Sequence, residues 1–99
     1  IPNAYTLSQN YPNPFNPVTT ISFSVPQNGV ETQHTVSLQI FDITGRLIET
    51  LIDEELEPGY HTIQWNAEDS FGKPVSAGIY LYQIRTAGFV QTKKMVLLK

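Results

Sequence analysis

The sequence predicts an all-β fold: two antiparallel sheets packed as a β-sandwich of about seven strands. Three observations carry this. Apolar and polar residues alternate, most cleanly in "TTISFSVP", where Ile21, Phe23 and Val25 share one face and Thr20, Ser22 and Ser24 the other; that is the period of a half-buried strand. Turn residues recur about every 8 to 12 positions, the spacing of a sandwich. No stretch sustains the period of about 3.6 that a helix needs. The 99 residues suffice for one domain with a core of its own, and with no cysteine nothing staples it.

The elements follow in order. A weak first strand lies near "AYTLSQ". The segment "NYPNPFNP", Asn10 to Pro17, then places three prolines within six residues. Each proline lacks the N–H that a ladder requires, which rules out a central strand, and residues before proline are pushed toward extended backbone. The segment reads as a stiff, extended strap, with Tyr11 and Phe15 expected as anchors on the core. Its simplest role is a proline-protected edge that blocks strand addition. A polyproline ligand fits less well, because the spacing repeats poorly and Asn dilutes it.

After "TTISFSVP", the stretch "TVSLQIFDI" sets Val36, Leu38 and Ile40 on one face and loses phase at Phe41 and Ile43, as a bulge or a doubly covered strand end does. Gly45 in "TGR" supplies a turn and "RLIETLID" returns, giving a hairpin. "GYHTIQWNA" aligns His61, Ile63 and Trp65. "EDSFGKPVSAG" is a long connection with turn residues Gly72, Pro74 and Gly78. "IYLYQIRT" pairs with "FVQTKKMVLLK" through Ala87-Gly88. Gly45, Gly59, Gly72, Gly78 and Gly88 are expected at tight turns or positive φ. No internal repeat is apparent.

Composition excludes some functions. The net charge of −3 disfavours nucleic acid, which calls for a basic face. The longest apolar run, "MVLL", is far short of the roughly 20 residues of a membrane helix, so no membrane insertion is expected. The chain opens on Ile1 and not Met, which reads as a piece of a longer polypeptide whose export signal, if any, lies upstream.

The residues offer little chemistry. A cysteine nucleophile is impossible, and Ser76 in "VSAG" lacks the strained elbow of a serine nucleophile. His34 and His61 are the two imidazoles; His61 falls in phase with Ile63 and Trp65, as a half-buried strand residue does. Asp53, Glu54, Glu55 and Glu57 read as a solvated turn and not as carboxylates across a cleft. Asn66, Glu68, Ser70 and Gly72 faintly resemble a calcium loop, without its bidentate Glu or flanking helices; Asp69 can instead accept hydrogen bonds from its own turn. Tyr60, Trp65, Phe71, Tyr80 and Tyr82 could form a sugar platform, but Tyr80 and Tyr82 alternate with Ile84, and Trp65 with Ile63, as core aromatics do. The expectation is no enzyme, no metal and no cofactor.

Four stretches resemble one known family together and in order: "YPNPFNPVTTISFSVP", "LQIFDITGRLIETL", "GYHTIQWNAEDSFGKPVSAGIYLYQI" and "KKMVLLK". They are similar to the type A C-terminal sorting domain of the type IX secretion system, from about Leu7 to Lys99. "WNAEDSFGKPVSAGIY" also resembles the immunoglobulin-like module of flagellar hook-capping proteins, which favours an immunoglobulin-like sandwich. The front and terminal motifs favour the sorting domain. The resemblance implies a non-catalytic signal at the C-terminus of a larger exported protein. Its partners would be the type IX translocon and sortase, with an upstream cargo domain in the same chain. Cleavage upstream of Tyr11 and surface anchoring are implied options, and the cargo would be secreted or on the cell surface. Residues 1–99 then form one sorting domain, with 1–9 a candidate linker. The residues matching the family's recognition strand are Lys93, Lys94, Met95, Val96, Leu97, Leu98 and Lys99. The front motif matches at Pro12, Asn13, Pro14 and Phe15, and the turn-and-strand motif at Gly72, Gly78, Ile79 and Tyr80.

Physics supplies a second layer. Met95 and Leu97 fall on one face of the last strand, Val96 and Leu98 on the other, so one face can enter the core while the other stays partly uncovered. Lysines at both ends keep such an edge soluble. The same edge can act as a handle for a receptor through strand addition, and it permits a weak dimer by edge-strand pairing. Two other functions fit the composition. One is a carbohydrate-contacting or structural accessory module of a secreted enzyme, marked by a solvent-facing Trp65 or Tyr82. The other is an assembly module like the flagellar relative.

Overall fold

The computed structural model describes residues 2–27 and 34–98. They contain seven strands and no helix: β1 (Thr6–Leu7), β2 (Thr19–Val25), β3 (His34–Asp42), β4 (Leu47–Leu56), β5 (Gly59–Trp65), β6 (Gly78–Arg85) and β7 (Val90–Leu97). One sheet has the order β1-β2-β5 and the other β4-β3-β6-β7. All strand pairs are antiparallel. The fold is the expected all-β sandwich.

Alternation decides what lies between the sheets. Ile21, Phe23 and Val25 of β2, Val36, Leu38 and Ile40 of β3, and Tyr82 and Ile84 of β6 are all buried. From β7 come Met95 and Leu97, also buried, while Val96 between them is half-buried and Leu98 is exposed. The last strand therefore has one face in the core and one turned out, as its sequence implies. β3 and β4 lose register between Leu38 and Gln39 and again between Ile40 and Phe41. The extra residues, Leu51 and Ile48, belong to β4. β3 itself stays in unbroken register with β6 and keeps its alternation through Phe41, which turns outward, while Ile43 is exposed in the turn that follows. The bulge expected in β3 therefore lies in its partner.

The β3–β4 and β5–β6 connections contain the same five-residue turn. In Asp42–Arg46 and in Asp69–Lys73, the aspartate N–H donates to the carbonyl of the basic residue four positions on, at 2.9 Å in both. The glycine N–H donates back to the aspartate carbonyl at 3.0 Å in both. The carboxylate Oδ1 accepts from the N–H groups two and four residues on, at 2.9 and 3.0 Å in each turn. Gly45 and Gly72 sit at φ 93° and 79°, a region that favours glycine. The sequence is thus not free of repeats: D-x-x-G-R/K occurs twice, too short to register as periodicity. The Thr44 hydroxyl and the Arg46 N–H, both donating to Asp42, hold its carboxyl below the usual carboxylate range. The second turn docks on the start of β4, where Ser70 N–H donates to Ile48 O at 3.1 Å.

Candidate functional site

The proline-rich segment crosses from one sheet to the other. At its start, Tyr11 exchanges both backbone hydrogen bonds with Thr20 of β2, each at 2.9 Å. At its far end, Phe15 N–H donates to Val96 O at 3.0 Å and Leu98 N–H donates to Phe15 O at 2.8 Å, a short parallel bridge to β7. Prolines at 12, 14 and 17 leave Tyr11 and Phe15 among the few N–H donors of the strap, and both are used.

A buried polar cluster fixes the crossing. Asn10 N–H donates to the Tyr82 hydroxyl at 2.9 Å, and that hydroxyl donates to Ser8 O at 2.7 Å. The Asn10 side-chain amide donates to Thr19 Oγ1 at 2.9 Å and Pro12 O at 3.2 Å, while the Thr19 hydroxyl donates to the same Pro12 O at 2.9 Å. Asn10, Thr19 and Tyr82 are all buried, so the network satisfies groups that would otherwise be costly to bury. Burial pushes the Tyr82 hydroxyl up to about 12. It stays a neutral donor throughout the physiological range.

Along β7 the strap imitates an extra strand. Val96 N–H and C=O both point outward, bound by the Asn13 side-chain carbonyl at 3.0 Å and by Phe15 N–H. Alternation then turns Lys94 and Thr92 outward as well. Lys94 O accepts from the Gln9 side-chain amide at 2.9 Å. Two side-chain amides thus take the place of strand backbone, Asn13 as an acceptor and Gln9 as a donor. Among the described residues, the Lys94 N–H and both outward groups of Thr92 have no protein partner. The edge is thus not open throughout: from the Lys94 carbonyl to Leu98 it is already occupied by the front of the same chain, and the part before that, from Val90 to the Lys94 N–H, is left uncovered.

The side chains converge at the same place. The Phe15 ring lies 6.0 Å from that of Trp65, which meets Tyr80 edge-on at 5.4 Å. Tyr80 is opposite Met95, Ile79 opposite Val96 and Gly78 opposite Leu97. Pro12 and Asn13, Phe15, Gly78–Tyr80 and Met95–Leu98 therefore form one element, although they come from three separate stretches of sequence. Lys93 is half-buried and Lys94 exposed. Gly72 is apart, in the second aspartate turn, and Lys99 lies outside the described residues.

Tyr11 corrects a second expectation. It does not anchor the core: its side chain is 80% exposed, while Phe15 is 2% exposed. Only the Tyr11 backbone is held. Gln9 and Asn10, whose amides hold the edge and the strap, do not stand out in the sequence. Polar side chains beside prolines were the available signal, and it says nothing about which backbone they meet.

The other candidates are engaged elsewhere. Trp65 and Tyr82 are buried at 1% and 0% exposure, so the mark of a sugar platform is missing. Trp65 Nε1 donates to Glu68 O at 2.9 Å. Asn66 donates to the Glu68 carboxylate, and the Ser70 hydroxyl donates to Ile48 O. Asp69 accepts from its own turn as the sequence suggests. Among the described residues, no group of three or more His, Asp or Glu side chains could hold a metal. His61 Nε2 lies 2.8 Å from Glu57 O, and His34 Nδ1 lies 2.8 Å from the Tyr5 hydroxyl. Ser76 lends its carbonyl to the Tyr80 hydroxyl at 2.6 Å. Among the described residues, no helix is long and apolar enough to cross a membrane.

The sequence matches the family described as secretion system C-terminal sorting domain over residues 9–98. No curated protein matches at a significant level. Among solved structures, the chain is similar to dimeric latent PorU from Porphyromonas gingivalis, with TM-score 0.75 and 22% identity. The match covers 99% of this chain and 10% of that one. PorZ of the same organism is described as an essential bacterial surface component of the type IX secretion system. It matches with TM-score 0.60 and 25% identity, over 92% of this chain and 11% of PorZ. FlgD from P. aeruginosa matches with TM-score 0.59 and 18% identity, over 80% of this chain and 58% of that one. The likenesses to PorU and FlgD speak for the fold.

Proposed function

Because the chain belongs to the secretion system C-terminal sorting domain family, we propose that it directs a larger cargo protein, joined upstream in the same polypeptide, across the outer membrane through the type IX system. Membership gives the secretion-signal role. The finer reading concerns what is read and by whom. Residues 1–99 act as one sorting domain, and the strap-and-strand element is its recognition site, contacted by translocon and sortase components. Lys93 to Lys99 carry the signal, Pro12 to Phe15 hold the strand in its presented form, and Gly78, Ile79 and Tyr80 brace it from behind. Gly72 contributes by shaping the second turn. Cleavage and surface anchoring of the cargo belong to the same proposal.

One observation supports this reading most: the front motif is hydrogen-bonded to the terminal strand along Val96 and Leu98. A partner that read β7 only by strand addition would have to displace the strap. A partner that reads the composite surface finds it already assembled, which reduces the ordering cost of binding. Weak dimerisation by edge pairing would have the uncovered start of β7, up to Lys94, or the β4 and β5 edges to use.

The test is a fluorescent reporter with a periplasmic leader, fused to residues 1–99 and to the same chain carrying Lys93→Ala and Lys94→Ala. In a type IX-competent host the first should leave the cell and the second should accumulate, folded, in the periplasm. Equal export of both would remove the lysines from the signal.

A further inference from the structure

The solvent side of the four-stranded sheet is unexpectedly apolar at the end where the strap meets β7. One row across it runs Leu47, Phe41, Leu81, Lys94 by direct strand register. The next row pairs Ile79 with Val96, and Leu98 extends the same face along β7. These residues alternate with the buried Ile40, Tyr80, Tyr82, Met95 and Leu97, so they point away from the core. Leu47, Ile79 and Leu98 are 47%, 40% and 51% exposed. Contiguous apolar surface of this kind marks an interaction site more often than a scatter of single residues does.

We propose that this face, around Phe41, Leu47, Ile79, Leu81, Val96 and Leu98, docks a protein partner whose own surface is apolar and sets a carboxylate against Lys94. The inference rests on the sorting function and specifies the chemistry of its partner. Charge decides the kind of partner. Lys94 closes the apolar row, is exposed, and makes no ion pair among the described residues. An unpaired ammonium at the rim of an apolar patch favours an acidic counterpart and steers its approach. A second copy of this chain is a poor occupant. Of the acids beside the patch, Asp42 is already bound by Thr44 and by Arg46, whose Nε lies 3.3 Å from it, and Glu49 accepts from Thr50 N–H and the Ser70 hydroxyl. The acidic Asp53 lies with Ser37 and Arg85 toward the opposite end of the sheet.

The experiment uses the reporter fused to residues 1–99 in a type IX-competent host, with folding followed by thermal melting. Ile79→Thr with Leu81→Thr places β-branched residues of good strand propensity at both positions while removing apolar area. Lys94→Glu reverses the rim charge at an exposed site where misfolding is no concern. Gln64→Glu, on the exposed face of the other sheet, controls for added negative charge. The expected result is at least a tenfold loss of secretion for the first two and wild-type secretion for Gln64→Glu. If wild type is secreted and the folded face variants are secreted equally, the docking surface is wrong and the sorting function stands. If wild type is itself retained, the sorting function fails and the docking surface with it. Sedimentation that shows a wild-type dimer abolished by the face variants would assign the surface to a second copy and overturn the proposed partner.

Discussion

The side-chain carbonyl of Asn13 accepts a hydrogen bond from the backbone N–H of Val96 at 3.0 Å, across 83 residues of sequence. One amide thereby does for β7 what a neighbouring strand would do. Asn13→Ala should cost about 1 kcal/mol, the usual net worth of such a bond. Hydrogen exchange should show the change locally: the Val96 amide loses protection while Met95 and Leu97, paired to β6, keep theirs. Unchanged protection at Val96 would mean that the contact does not hold the edge.

Phe15 and Tyr11 should separate sharply. Phe15 packs on Trp65 in the core, and truncating a buried aromatic costs about 3–5 kcal/mol. Tyr11 is held by its backbone alone, so Tyr11→Ala should stay within about 0.5 kcal/mol, as exposed positions do. Urea denaturation of both variants checks the contrast, and similar losses would contradict the geometry.

Alkaline pH should weaken the fold through Tyr82. Its folded hydroxyl titrates near 12 against an ordinary 10.0, so above the ordinary value the unfolded chain sheds the proton first. Stability is therefore full below pH 10 and falls as pH climbs toward 12. Tyr82→Phe should flatten part of this decline and lower stability at neutral pH, because Asn10 N–H and Ser8 O each lose a partner. Tyr80, also raised by burial, should supply part of the decline that remains. Melting temperatures of both proteins across pH 9 to 12 make the comparison.

The twin aspartate turns predict paired glycine effects. An added Cβ at Gly45 or Gly72 meets nothing within 4 Å, so the cost is backbone strain alone. Each change to alanine should destabilise by about 1–2 kcal/mol. At about 4–8 °C per kcal/mol for a domain of this size, the melting point should fall visibly. Gly88→Ala, in open space without a positive φ, should be close to neutral.

The strands and their faces were legible because alternation reports burial residue by residue. Ile21, Phe23, Tyr82 and Met95 declare themselves that way. The bulges were not legible, since the apolar Phe41 and Ile43 suggest one in β3 while the extra residues sit in β4. The strap was legible only as something other than a central strand. Prolines say which backbone donors are missing; they do not say which edge the remaining N–H of Phe15 will meet. Tyr11, an aromatic beside proline, has the pattern of an anchor, whereas its backbone is fixed by Thr20 and its ring stays outside. The edge contacts of Gln9 and Asn13 depend on residues more than 80 positions away, which local pattern cannot encode. The motif resemblance pointed to the family, and the fold brings motifs so far apart in sequence into one element.

The central claim, that this domain is itself the secretion signal, is met most directly by one comparison. A reporter with a periplasmic leader is expressed with and without residues 1–99, in a type IX-competent host and in a translocon-deficient sibling. The account predicts export only when the domain and the translocon are both present. Export without the domain, or export that survives loss of the translocon, would contradict it.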